Sequence, residues 1–157
     1  SLILFPVDDR IKLGEDAAFT YPCLLDAQNI ATVKTPCYHY ILNPQSMTKS
    51  YDKDLQDIIF LPYAHIKEKC REIHTDLGTQ PDYYLLYLAN FLIRNETKSK
   101  NPGEGMQKLL ANADVRNAAK RIDRSILPFH TKLFAFALKM RSKMLLRSYM
   151  TLLKTVV

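Results

Sequence analysis

The spacing of apolar positions changes near residue 50. Before it, Leu2–Val7 is a short apolar run interrupted at Pro6, and Glu15 to Asn29 has helical spacing with Phe19, Leu24, Leu25 and Ala27 as candidate core contacts. Pro22 removes an amide donor inside that segment and predicts a kink. Ile30–Val33 and Cys37–Leu42 are rich in β-branched and aromatic residues and read as two short strands. Asn43-Pro-Gln-Ser46 reads as a turn or mobile loop. After Tyr51 the pattern is helical throughout. Leu55, Ile58, Ile59, Tyr63, Ile66, Cys70, Ile73 and Leu77 recur at three- and four-residue spacing, with a break expected at Pro62 and a stop at Gly78. Further helices are predicted over Tyr83–Ile93, Met106–Ile122 and Phe129–Leu153, with 98–105 as the clearest loop. The expected fold class is therefore mostly α with a small α/β part, divided into a mixed segment over 1–50 and a helical bundle-like module over 51–157.

Composition narrows the class. A chain of 157 residues, 47% hydrophobic and 24% charged, is ordinary globular protein. Cys23, Cys37 and Cys70 cannot all pair and form no C-x-x-C, so reduced thiols in a cytoplasmic setting are expected, without a zinc site. No apolar run reaches the roughly 18–20 residues of a membrane span, and the N-terminal run is too short for a signal peptide.

The net charge of +6 is local. No Asp or Glu occurs from Ile126 to Val157, where Lys132, Lys139, Arg141, Lys143, Arg147 and Lys154 stand, and the rest of the chain is neutral. That distribution argues against a general nucleic-acid surface. On one continuous helix turning about 100° per residue, Lys132, Lys139, Lys143, Arg147 and Lys154 fall in one stripe beside a broad apolar face. Such a stripe suits a solvated bundle edge, a partner surface or an anionic membrane surface.

Candidate chemistry centres on Leu13-Gly-Glu-Asp-Ala-Ala-Phe19, with Tyr38-His-Tyr-Ile-Leu-Asn-Pro-Gln-Ser-Met-Thr48 some twenty residues later. Gly14 permits a tight approach, and Glu15 and Asp16 fall on a first helical turn, where carboxylates are favoured by the helix dipole. A carboxylate held there is either a plain cap or a well-positioned general base. Hydroxyls and amides in the second stretch suit phosphate oxygens. Asp52-Lys-Asp54 opens a helix and reads as capping rather than as a metal motif. His65 and His74 are too far apart for a ligand pair, and Tyr83, Tyr84 and Tyr87 read as a packing face, with a sugar platform as the alternative.

Taken together, Glu15-Asp16, Asn29-Ile-Ala-Thr-Val33, Tyr38 with Tyr40, and Ser46 with Thr48 resemble the C-terminal end of the catalytic domain of family 2 inverting glycosyltransferases, which have the GT-A fold. The resemblance covers about a third of the chain, roughly residues 3–50. It implies that Asp16 is the general base, that Glu15 helps hold the acceptor, and that a loop carrying His39, Asn43, Ser46 and Thr48 closes on the donor diphosphate. Many relatives carry an Arg where Ile41 stands here. The nucleotide-binding strands and the metal-binding Asp-x-Asp of that family lie upstream of the Glu-Asp pair and have no counterpart in this chain. A divalent cation, manganese or magnesium, is thus expected in a parent enzyme with ligands mainly outside these residues. The implied partners are a nucleotide-sugar and a glycan or lipid-linked acceptor; self-association and a peripheral place at the inner membrane face are also open. The rival expectation is a helical interaction or membrane-docking module without catalysis, in which Glu15 and Asp16 only cap a helix.

Overall fold

The computed structural model describes residues 9–11, 13–39, 41 and 50–156. Leu2–Val7, Tyr40 and the expected loop with Asn43, Ser46 and Thr48 lie outside the described residues. In chain order the helices are α1 (Glu15–Asp26), α2 (Leu55–Ile58), α3 (Leu61–Glu72), α4 (Gln80–Glu96), α5 (Glu104–Ala111), α6 (Ala113–Arg121), α7 (Phe129–Lys139) and α8 (Lys143–Val156).

α4 is the central helix and touches α2, α3, α5, α6 and α8. Its sequence explains why. Leu85, Leu86, Leu88, Ala89, Leu92 and Ile93 are all buried and span about 160° of its circumference, a broad apolar face that takes several neighbours to cover. The core continues through Met106, Leu109, Val115, Ala118, Phe134, Leu146 and Tyr149. Three polar side chains at its margins are paired. Asp82, buried in the first turn of α4, accepts two hydrogen bonds from the Arg121 guanidinium, one from Nε at 2.7 Å. The Asn95 side chain clamps the backbone of Asp52, donating to its carbonyl at 2.7 Å and accepting from its amide at 2.9 Å. The buried Glu96 carboxylate accepts the Gly103 amide at 3.1 Å, placing negative charge at the start of α5.

Three of the helical segments expected from periodicity are cut, whereas Tyr83–Ile93 lies within the unbroken α4. The segment after Tyr51 breaks between Ile58 and Leu61, just ahead of Pro62, as that residue predicts. It ends at Glu72 rather than Gly78, because His74 takes the left-handed conformation (φ 52°) and the Thr75 amide returns to the Cys70 carbonyl. Met106–Ile122 is two helices divided at Asn112, whose extended backbone stops α5 while its side chain accepts the Val115 amide and caps α6. Phe129–Leu153 is a hairpin of α7 on α8, turned at left-handed Arg141 (φ 51°) and closed by the contact of Phe134 with Tyr149, ring centroids 5.1 Å apart.

The mainly helical class holds, but the α/β part does not appear: among the described residues no strand forms. Residues 27–39 and 41 run without regular structure. Ile30, Val33, Tyr38 and Ile41 are 66–84% exposed. Strand-like composition does not suffice, since short strands need neighbours to bond their backbone groups and to cover their apolar face. None of the described residues supplies one.

Candidate functional site

α1 begins at Gly14, whose left-handed backbone (φ 79°) turns the chain into the helix. The Tyr84 hydroxyl and the Pro62 ring close in behind it, so that a side chain there would stand 3.1 Å from the one and 3.3 Å from the other. Glu15 and Asp16 follow directly and are exposed in the first turn. One Asp16 oxygen accepts the Ala17 amide at 2.7 Å, which restrains the carboxylate against its own helix start. The helix then runs through Pro22, which is buried together with Ala18 where α1 packs on α3. At its far end Asp26 pairs with Lys69 of α3 at 2.9 Å.

An aromatic row lies beside this carboxylate pair. Tyr21 of α1 meets Tyr84 at 5.5 Å between ring centroids; Tyr84 meets Tyr87, and Tyr87 meets Phe91, each at 6.4 Å. The Tyr84 phenol is pushed well above its ordinary range, chiefly by burial and then by the electron-rich surroundings of Tyr21 and Asp16. Its hydroxyl is buried and has no hydrogen-bond partner among the described residues. The spacing of Tyr84, Tyr87 and Phe91 carries a packing signal, but not the fact that Tyr21 from α1 joins them. Tyr83 faces elsewhere, its hydroxyl accepting the Asp123 amide at 3.0 Å and donating to the Asp123 carbonyl at 3.3 Å.

His39 is exposed in the extended segment after α1. Asn43, Ser46 and Thr48 fall outside the described residues, so only His39 of the expected diphosphate group has a described position. Asp52 serves a local turn: its side chain accepts the Asp54 amide at 2.9 Å while Asn95 holds its backbone. Among the described residues no three His, Cys, Asp or Glu side chains gather in a way that could hold a metal.

The expected basic stripe is divided by the Arg141 turn. Lys132 and Lys139 stand on one edge of α7, whereas Lys143, Arg147 and Lys154 share a face of α8 at spacings of four and seven residues. Arg147 and Lys154 flank a groove of about 480 Å³ between α8 and the start of α5, lined also by Asn101, Pro102, Met106, Met150 and Thr151. The single-helix wheel fails because a left-handed residue resets both direction and phase. No helix among the described residues is long and apolar enough to cross a membrane.

Comparison with known proteins adds nothing to this geometry: the chain matches no family model, no curated protein and no solved structure.

Proposed function

We propose that this chain completes the catalytic domain of an inverting glycosyltransferase and adds a helical module to it. The observation that carries this reading is the exposed Asp16 at the start of α1, set in place by left-handed Gly14 and buttressed by Tyr84 and Pro62. The exposed strand-like residues Ile30, Val33, Tyr38 and Ile41 give further support, because they need strands that the described residues do not provide. The same exposed residues support self-association of the chain on its own.

In the reaction, the Asp16 carboxylate takes the proton of an acceptor hydroxyl. The acceptor oxygen forms its bond to the anomeric carbon as the bond from that carbon to the diphosphate oxygen breaks, inverting the configuration. The nucleoside diphosphate leaves with the electron pair. Placement of the carboxylate against the acceptor contributes more than its basicity. Glu15 helps hold the acceptor, and His39 with Asn43, Ser46 and Thr48 contacts the diphosphate. Manganese or magnesium at the diphosphate would take its ligands mainly from outside this chain, and no step here runs through it. The acceptor is a glycan or lipid-linked, and the parent enzyme works in the cytoplasm, peripheral at the inner membrane face.

The test is nucleoside-diphosphate release by the complete natural protein, given a panel of nucleotide-sugars, manganese and an acceptor extract. Acceptor-dependent release is expected to fall by about 10²–10⁴ in Asp16→Asn. Release that survives the substitution would move the base elsewhere. A second reading, a helical interaction or docking module without catalysis, is favoured by the Asp16 contact to the Ala17 amide, which a simple capping role explains. It predicts no release with any donor and a loss of only about 0.3–1 kcal/mol of stability in the same variant, from the charge removed at the helix start.

A further inference from the structure

We propose that the outer face of α7 is a docking surface for an anionic lipid membrane, with Ile126, Phe129, Phe136, Met140 and Met144 entering the bilayer interface and basic side chains meeting its headgroups. This surface is separate from Asp16 and does not depend on the glycosyltransferase reading.

The sequence sets the face. Phe129, Leu133, Phe136 and Met140 recur at spacings of four, three and four, which places them within about 60° on a helix. The opposite side of α7 carries Phe134, Ala135, Ala137 and Leu138, all buried against α6 and α8. α7 is thus apolar on both sides, and only one side is covered. Phe129 is 82% exposed, Met144 72%, Ile126 69% and Met140 57%. Ile126, ahead of the helix, and Met144, beyond the Arg141 turn, are exposed apolar side chains on the two chain segments that flank α7. Between them, Arg124, Ser125, Phe129, Lys132, Leu133 and Phe136 border an almost wholly apolar hollow of about 520 Å³.

Charge selects the occupant. Lys132 and Lys139 lie along one edge of the stripe, with Arg141 and Lys143 at its end and Arg124 at its start. The chain's last acidic residue is Asp123, whose two oxygens are engaged by the Ser125 amide and hydroxyl, both at 2.8 Å. An apolar stripe edged mostly by cations, with Asp123 the acidic neighbour of Lys132 at its start, matches an interface with hydrocarbon below and phosphate above. Half-buried Lys132 extends its stem along the hollow, which lets its ammonium reach the headgroup level while its methylenes stay covered.

The chain contains no Trp, so Phe129→Trp introduces a single reporter at a position open enough to accept it. Mixed with phosphatidylcholine vesicles containing phosphatidylglycerol, this variant is expected to co-sediment and to shift its emission to the blue. With pure phosphatidylcholine it should do neither, and added salt should reverse the binding. Lys139→Gln with Lys143→Gln should weaken binding about fivefold per charge removed, and Phe129→Ser with Met140→Ser by about tenfold or more. The proposal is overturned if the protein ignores anionic vesicles, or if it binds them while the emission of the introduced indole stays that of a water-exposed ring. A dimer that buries this indole without lipid, and binds no vesicles, overturns it equally.

Discussion

At the residue scale, single atoms decide where this fold tolerates change. Gly105 begins α5 against the buried Glu96 carboxylate, and a methyl group there would stand 2.7 Å from a carboxylate oxygen. Glu96 cannot swing away without releasing the Gly103 amide. Gly105→Ala should therefore cost about 1–3 kcal/mol in urea unfolding, against the gain that Gly-to-Ala usually gives a helix. Gly14→Ala combines a left-handed backbone with a close approach to Tyr84 and Pro62, and should cost about 1–2 kcal/mol. Asn95→Ala strips both partners from the Asp52 backbone and should lose about 1–3 kcal/mol, measurable in the same way. Little of this is legible in the sequence. Gly14 is marked by its place before two acids, but Gly105 and Asn95 matter through residues 9 and 43 positions away in sequence, respectively, and no local pattern encodes such a meeting.

At the element scale, hydrophobic periodicity locates the helices and misses their ends. Spacing reports which face is covered, and two helices joined by one or two residues can keep nearly the same phase. Asn112 is a strong capping residue and could have revealed the α5–α6 break. His74 is of a type enriched in the left-handed region and gives a weak signal, whereas Arg141 gives none. Arg141 accordingly carries strain: Arg141→Gly should raise the melting temperature, with a gain of up to about 1 kcal/mol, whereas Arg141→Val should lower it. Calorimetry of the two variants checks the sign. The expected strands fail for a different reason. Val33 and Tyr38 have the right chemistry, but a strand is defined by its neighbours, and a sequence segment does not state whether they are present.

At the scale of the molecule, burial of phenols ties stability to alkaline pH. Tyr63, Tyr84 and Tyr149 all titrate above the usual 10.0, in each case mainly because burial disfavours the phenolate. The unfolded chain loses these protons first as pH rises through about 10, so above that point the native state binds more protons than the unfolded state. Stability must then fall with rising pH. Ultraviolet titration should find Tyr63, Tyr84 and Tyr149 resisting ionisation until the chain unfolds, with urea midpoints dropping over the same range. The order of residues around Glu15 and Asp16 is enough to mark a candidate site, but the convergence of Tyr21 on Tyr84 beside it belongs to tertiary packing alone.

The attachment of α1 carries one more consequence. Its extensive packing is to α3, and within its twelve residues it buries only Ala18 and Pro22, whereas α4 buries nine of its seventeen. Amide hydrogens of α1 should therefore exchange with solvent through a local opening well before those of α4, which await disruption of the whole core. Asp16 thus sits on the part of the molecule that detaches at least expense. Any ligand that engages Asp16 must first hold α1 in place, and protection of the α1 amides is the earliest sign that one has bound.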